Sequence, residues 1–153
     1  MRSYPPSKIT KFTHGNQKGK FDYELRVVAT ASFQVKSNAL EAARTSVLAQ
    51  IRKAIPEEFY FFQVVSYPHH VLRKHALAGV HKAERLQKGM RLAFGKPDGR
   101  AARIMLGDTI LVLRVTEPYL EIAKRAIKIG KLKLPHMTKI VVERIGGEKE
   151  EAA

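Results

Sequence analysis

The sequence predicts an α+β fold, a two-layer sandwich with two helices on one face of a mixed or antiparallel sheet. Three observations predict it. Two segments repeat apolar residues at helical spacing, several short ones read as strands, and one long segment is too charged to bury. That last segment, residues 67–103, is expected to project from the layers as a basic insertion. The expected division is an extended basic arm over residues 1–20, a single α+β domain over 21–145, and a disordered tail over 146–153.

In residues 1–20, Pro5, Pro6, Gly15 and Gly19 interrupt any period, and Lys8, Lys11, Lys18 and Lys20 add charge. Phe21, Tyr23, Leu25 and Val27 then alternate with Asp22, Glu24 and Arg26, the pattern of a half-buried strand. The chain continues extended through Val35 with at least one bend. Asn38 and Glu41 stand three apart, as a capping box requires. Leu40, Ala43, Val47, Leu48, Ile51 and Ile55 follow at helical spacing, opposite Arg44, Gln50, Arg52 and Lys53, until Pro56 stops the helix.

Residues 59–65 gather Phe59, Tyr60, Phe61, Phe62, Val64 and Val65, which predicts a strand buried on most of both faces. Beyond the basic segment, residues 108–115 form another strand, entered through Gly107. The second helix is expected from about Pro118 to Ile129. Its acids Glu117 and Glu121 come early and its cations Lys124, Arg125 and Lys128 late, complementing the helix dipole, with Gly130 as the C′ residue. Residues 139–143 read as a last strand. There is no internal repeat.

The chain of 153 residues carries 28 Lys+Arg against 14 Asp+Glu, a formal net charge of +14. Such an excess favours a polyanionic partner, nucleic acid first and an anionic membrane surface second. The membrane is the weaker candidate, since no apolar run approaches the roughly 20 residues of a spanning helix. The first residues lack the hydrophobic stretch of a secretory signal, and a cytoplasmic location is expected. The absence of cysteine removes disulfides, thiol catalysis and Cys-based zinc sites.

Residues 67–103 concentrate the charge: nine Lys or Arg against Glu84 and Asp98, with four histidines and Gly79, Gly89, Gly95 and Gly99 spaced among them. Burying unpaired charges costs several kcal/mol each. A polyanion touched by backbone and side chains together explains both the cations and the glycines. Residues 89–97 (GMRLAFGKP) invite comparison with a phosphate-binding P-loop, and the comparison fails. Five residues instead of four separate Gly89 from Gly95, and Pro97 stands where a magnesium-binding hydroxyl is required.

What survives is local. Gly95 and Gly99 permit close backbone approach, and Lys96, Arg100 and Arg103 supply charge. Against this stands an ordinary Gly-rich hairpin with solvated cations; the density of charge favours RNA contact.

His69, His70, His75 and His81 match no metal-ligand spacing, and no acid lies between His69 and Lys82 to complete a site. They are read as polar surface groups. No nucleophile or buried acid points to catalysis. No metal, cofactor, catalytic residue or small-molecule substrate is therefore expected. The aromatic run at residues 59–62 lacks interleaved cations and is expected in the core rather than as a base-stacking platform. Phe94, between Arg91 and Lys96, is the better stacking candidate, with anchoring of the insertion as its other reading.

Residues 35–44 (VKSNALEAAR), 67–73 (YPHHVLR), 89–97 and 101–103 (AAR) together resemble one family, in order and over about residues 8–145. It is the large-subunit ribosomal protein sixteen family in its archaeal–eukaryotic branch, the "ten-e" proteins. The resemblance implies an α/β-hammerhead type of fold and a non-enzymatic role. That role is to bind large-subunit rRNA near the aminoacyl-tRNA site and peptidyl-transferase centre, beside tRNA and neighbouring ribosomal proteins. It also implies a flexible loop at residues 77–89. Two departures stand out: the family usually begins with a longer basic arm, and its loop favours small residues where this chain has Val80, His81 and Lys82.

The expected RNA-binding residues are Arg73, Lys74, Lys82, Arg85, Lys88, Arg91, Phe94, Gly95, Lys96, Gly99, Arg100 and Arg103. The competing readings are an RNA-modifying or RNA-processing enzyme using the histidine-rich segment, and a basic adaptor for an acidic protein.

Overall fold

The computed structural model describes Ile9 and residues 11–68, 70–74 and 96–145. Its strands are β1 (Thr13–Gly15), β2 (Tyr23–Ala29), β3 (Phe33–Lys36), β4 (Tyr60–Val64), β5 (His70–Lys74), β6 (Lys96–Ile104), β7 (Thr109–Val115) and β8 (Thr138–Arg144). The helices are α1 (Ser37–Ala54) and α2 (Leu120–Lys131), with 3-10 turns at Glu57–Phe59 and Glu117–Tyr119. The α+β class is borne out, with both helices packed on antiparallel strands. The sheet is divided, however: a five-stranded one in the order β1-β4-β7-β2-β8 and a three-stranded one in the order β3-β6-β5.

Every recorded pairing is antiparallel. α2 lies against β2, β7 and β8, whereas α1 packs on α2 and touches β3 and β6. One continuous core results, containing Leu25, Val27, Leu40, Val47, Ile51, Phe62, Leu111, Leu113 and Ile127. Each such side chain contributes about 1.5–3 kcal/mol of burial.

α1 buries Leu40, Ala43, Val47, Leu48 and Ile51, and Ile55 follows just past its end, as the spacing predicts. It stops at Ala54, ahead of Pro56. The capping box does not form. The helix begins at Ser37 with Lys36 as N-cap and no side-chain cap, so Asn38 lies inside the first turn. Glu41, expected to reach back to the cap, instead receives two hydrogen bonds from the Arg44 guanidinium. A charge-assisted fork to Arg one turn ahead outcompetes a single backbone N–H. The Arg44 bond, above all, lowers the Glu41 pKa, and the Glu41 bond raises that of Arg44.

Three other expectations are corrected. β4 alternates: Tyr60, Phe62 and Val64 are buried, while Phe61 is half-buried on the far face, and Phe59 sits exposed in the preceding turn. The five-stranded sheet therefore has one core face here rather than two. Gly130 is no C′ residue; it is helical and buried, and the chain runs on into Lys131. A Cβ there would strike Val47 of α1, so glycine sets how closely the two helices approach. Finally, Ile9 is buried and β1 pairs with β4, so this part of the N-terminal stretch belongs to the sheet rather than to an extended arm.

The second helix is entered as Pro118 predicts, through a 3-10 turn. The Glu117 backbone N–H donates to the Asp22 carboxylate at 2.9 Å, which fastens this turn to the start of β2. The tail at residues 146–153 and the loop at residues 77–89 lie outside the described residues. No described helix is long and apolar enough to cross a membrane.

Candidate nucleic-acid interface

The basic segment enters the structure as a hairpin. β5 and β6 pair from His70↔Ala101 to Lys74↔Lys96, with a register shift between Leu72 and Arg73 that leaves Asp98 as the extra residue. β3 lies on the other side of β6, matching Gln34 to Arg103, Val35 to Ala102 and Lys36 to Ala101. The pleat then sorts the side chains. Val35, Ala102 and Ile104 turn into the core. Gln34, Lys36, Arg103 and His70 are exposed and share the opposite face.

Arg100 occupies the core-side row of β6 but near its open end, and is half-buried. Its Nε is shielded from solvent without a hydrogen-bond partner. A guanidinium partly desolvated and incompletely paired is poised for an anionic acceptor, because an unmet charged donor is costly. At neighbouring Gly99 an added Cβ would meet nothing within 4 Å, so the strand's backbone is open to close approach.

At the base of the hairpin, Val65, Ser66, Tyr67, Arg103, Asp108 and Thr109 line a recess of about 240 Å³. Tyr67 is 53% exposed, its ring backed by Phe12 at 5.3 Å between centroids. A supported, exposed aromatic beside an arginine is the usual composition of a surface that stacks an unpaired base.

Two arginines of the five-stranded sheet are instead paired within the chain. On the far face of the five-stranded sheet, Arg114 donates to Glu24 at 3.1 Å and stacks over Phe61 at 5.8 Å. Arg26 lies 3.5 Å from Glu24 and also bonds Glu143. Among the described residues, Lys36, Arg100 and Arg103 have no carboxylate within ion-pair distance.

Of the expected RNA-binding residues, Arg73, Lys74 and Lys96 are placed on the paired ends of β5 and β6, and Gly99, Arg100 and Arg103 along β6. Lys82, Arg85, Lys88, Arg91, Phe94 and Gly95 lie outside the described residues, as do His69, His75 and His81. No group of three or more potential metal ligands occurs among the described residues. Lys36 and Gln34 were not expected at the site. They reach it only through the β3–β6 register, for which local spacing carries no signal, and Tyr67 acquires its backing from Phe12 in the same non-local way.

The family model for ribosomal protein L16p/L10e matches residues 1–141. The chain belongs to this family. Membership bears out the resemblance carried by residues 35–44, 67–73, 89–97 and 101–103. Among similar members is the large ribosomal subunit protein uL16 of Saccharolobus solfataricus, 49% identical over 140 residues, which are 90% of this chain and 79% of that protein. Another is the protein of the same name from Sulfolobus acidocaldarius, 48% identical over 146 residues, covering 94% of this chain and 83% of its relative. In this member of the L16p/L10e family, residues 70–74 and 96–104 of the basic stretch lie in the three-stranded sheet, and Arg100 and Arg103 there have no carboxylate within ion-pair distance among the described residues.

Proposed function

We propose that this chain is a structural constituent of the large ribosomal subunit in the cytoplasm, binding large-subunit rRNA through the β5–β6 hairpin and its neighbour β3. The observation that carries the reading is that Lys36 of β3 and Arg100 and Arg103 of β6 have no ion-pair partner among the described residues, in a chain whose relatives are named as large-subunit proteins. Arg73, Lys74 and Lys96 belong to the same two strands, and Lys82, Arg85, Lys88 and Arg91 lie between them in the sequence and add to the charge.

In this reading the hairpin lies near the aminoacyl-tRNA site and helps position tRNA, with residues 77–89 as the flexible loop toward the tRNA. Neighbouring ribosomal proteins are the other partners, and the two-sheet arrangement is the family's α/β-hammerhead type. The role is non-enzymatic. The reading as an RNA-modifying enzyme has no support from family membership, and among the described residues the exposed His70 stands opposite Ala101, not opposite an acid.

Sedimentation of cell lysate tests the proposal directly: the protein travels with large subunits. Recovery only in the ribosome-free fraction would overturn it. With six to ten phosphate contacts, affinity for an isolated rRNA fragment falls by about 10³–10⁵-fold between roughly 50 and 200 mM salt.

A further inference from the structure

A second basic site lies away from the hairpin. Lys11, Thr13, His14, Gly15, Arg52, Ile55, Pro56, Glu57 and Tyr60 enclose a cleft of about 580 Å³ between the edge strand β1 and the end of α1. Three of its cationic or titratable groups, Lys11, His14 and Arg52, face one acid, Glu57. Arg52 alone would be unremarked, since a cation at a helix C-terminus complements the dipole. Lys11 and His14 belong to no helix and need another reason to gather there.

His14 is held in place by stacking on Phe62, ring centroids 6.2 Å apart, and by a hydrogen bond with the Lys11 backbone carbonyl. Its Nε2 is shielded from solvent and has no partner. Burial and then the charges of Arg44, Arg52 and Lys11 lower its pKa. Glu41 is the near acid on α1, and Arg44 already engages it. The cleft thus repels a further positive charge, and among the described residues Lys11 and Arg52 outnumber its one lining acid, Glu57.

Lys11 is also the chain neighbour of Phe12, whose ring backs Tyr67 in the recess beside Arg103. The cleft and the hairpin recess therefore flank the same short length of chain at Lys11 and Phe12. A small anion fits either alone; reaching both takes a polymer of phosphates.

We propose that the cleft formed by Lys11, His14 and Arg52 binds a backbone phosphate of RNA whose strand continues past Tyr67 and Arg103. The inference rests on the RNA-binding reading above and adds a contact site that the basic segment does not contain. Binding places a negative charge beside the imidazole, so His14 takes up a proton more readily in the complex than in the free chain.

The test uses the full chain, isotopically labelled, titrated with a short single-stranded RNA or with inorganic phosphate at matched phosphate concentration. Resonances of Lys11, His14 and Arg52 are expected to move with RNA, and the His14 titration to shift to higher pH. In a Lys11→Gln/Arg52→Gln variant the slope of log affinity against log salt is expected to shrink by about 0.7, one single-strand phosphate, with an unchanged melting temperature. Unmoved cleft resonances while Arg103 responds, or an undiminished slope in the variant, would overturn the inference and leave the hairpin reading standing. Equal shifts with inorganic phosphate would overturn the assignment to an RNA strand. If Arg103 also fails to respond to RNA, the RNA-binding reading fails with it.

Discussion

The two sheets of this molecule carry the same kinds of side chain and use them in opposite ways. On the five-stranded sheet, Arg26 and Arg114 are tied to Glu24 and Glu143, with Phe61 beneath Arg114. On the three-stranded sheet, Lys36, Arg100 and Arg103 have no acid within reach among the described residues. Pairing within the chain consumes the first set; in the proposed reading the second is left for RNA. Arg26 lies between Glu24 and, across the sheet, Glu143, whereas β6 beyond Asp98 contains cations and no acid.

The comparison can be broken most forcefully through the core that supports the five-stranded sheet. Phe62→Ala removes a fully buried ring on the face opposite Phe61 and is expected to cost about 3–5 kcal/mol in denaturant unfolding. A Gly130→Leu change pushes a side chain into Val47 and costs about 1–3 kcal/mol by the same measurement, through overpacking between α1 and α2. A loss below about 0.5 kcal/mol in either would mean that the helices are less tightly set than the contacts indicate.

A smaller effect is expected on the three-stranded sheet, and it appears in binding instead of stability. Arg103→Ala should reduce the salt slope of RNA binding by about 0.7 and leave the unfolding midpoint nearly unchanged. The matched change on the other sheet, Arg114→Ala, should do the reverse. It leaves RNA affinity unchanged and lowers stability by about 0.2–1 kcal/mol, the usual worth of an exposed pair. Equal losses of RNA affinity in the two variants would abolish the distinction between the sheets.

The mildest effect concerns pH. The His14 pKa is lowered from its ordinary value of 6.5 by burial and by Arg44, Arg52 and Lys11. The unfolded chain then binds the proton more readily than the folded one. This contribution to stability is fully present above pH 6.5 and is lost as pH falls through the lower folded value. Denaturation midpoints measured at stepped pH should decline below that point, and His14→Gln should flatten that part of the decline. Glu41, lowered chiefly by Arg44, adds a similar loss at more acid pH, below 4.5.

Local pattern made the helices and most strands legible. The spacing of Leu40, Ala43, Val47, Leu48 and Ile51 and the stop at Pro56 are properties of a single segment, and the core adopted them unchanged. The misreadings arose where a stronger partner than the expected one was present. The capping box was displaced because Arg44 offered Glu41 a stronger partner, and Gly130 marked a helix crossing rather than a helix end because Val47 stands against it. Phe61 differs from Phe62 only in which face of the pleat it occupies, and pairing with β7 decides that.

The candidate site divides along the same line. Charge, glycines and family resemblance in residues 67–103 were visible along the chain, since each belongs to a contiguous stretch. That Lys36 and Gln34 join Arg103 on one face, that Phe12 backs Tyr67, and that Lys11, His14 and Arg52 share a cleft were not. The positive charge, both helices and most strands could be read from the chain, because periodicity and composition act locally, whereas β1 could not. Which cations meet an acid is set by strand register, which brings together residues that the chain keeps far apart.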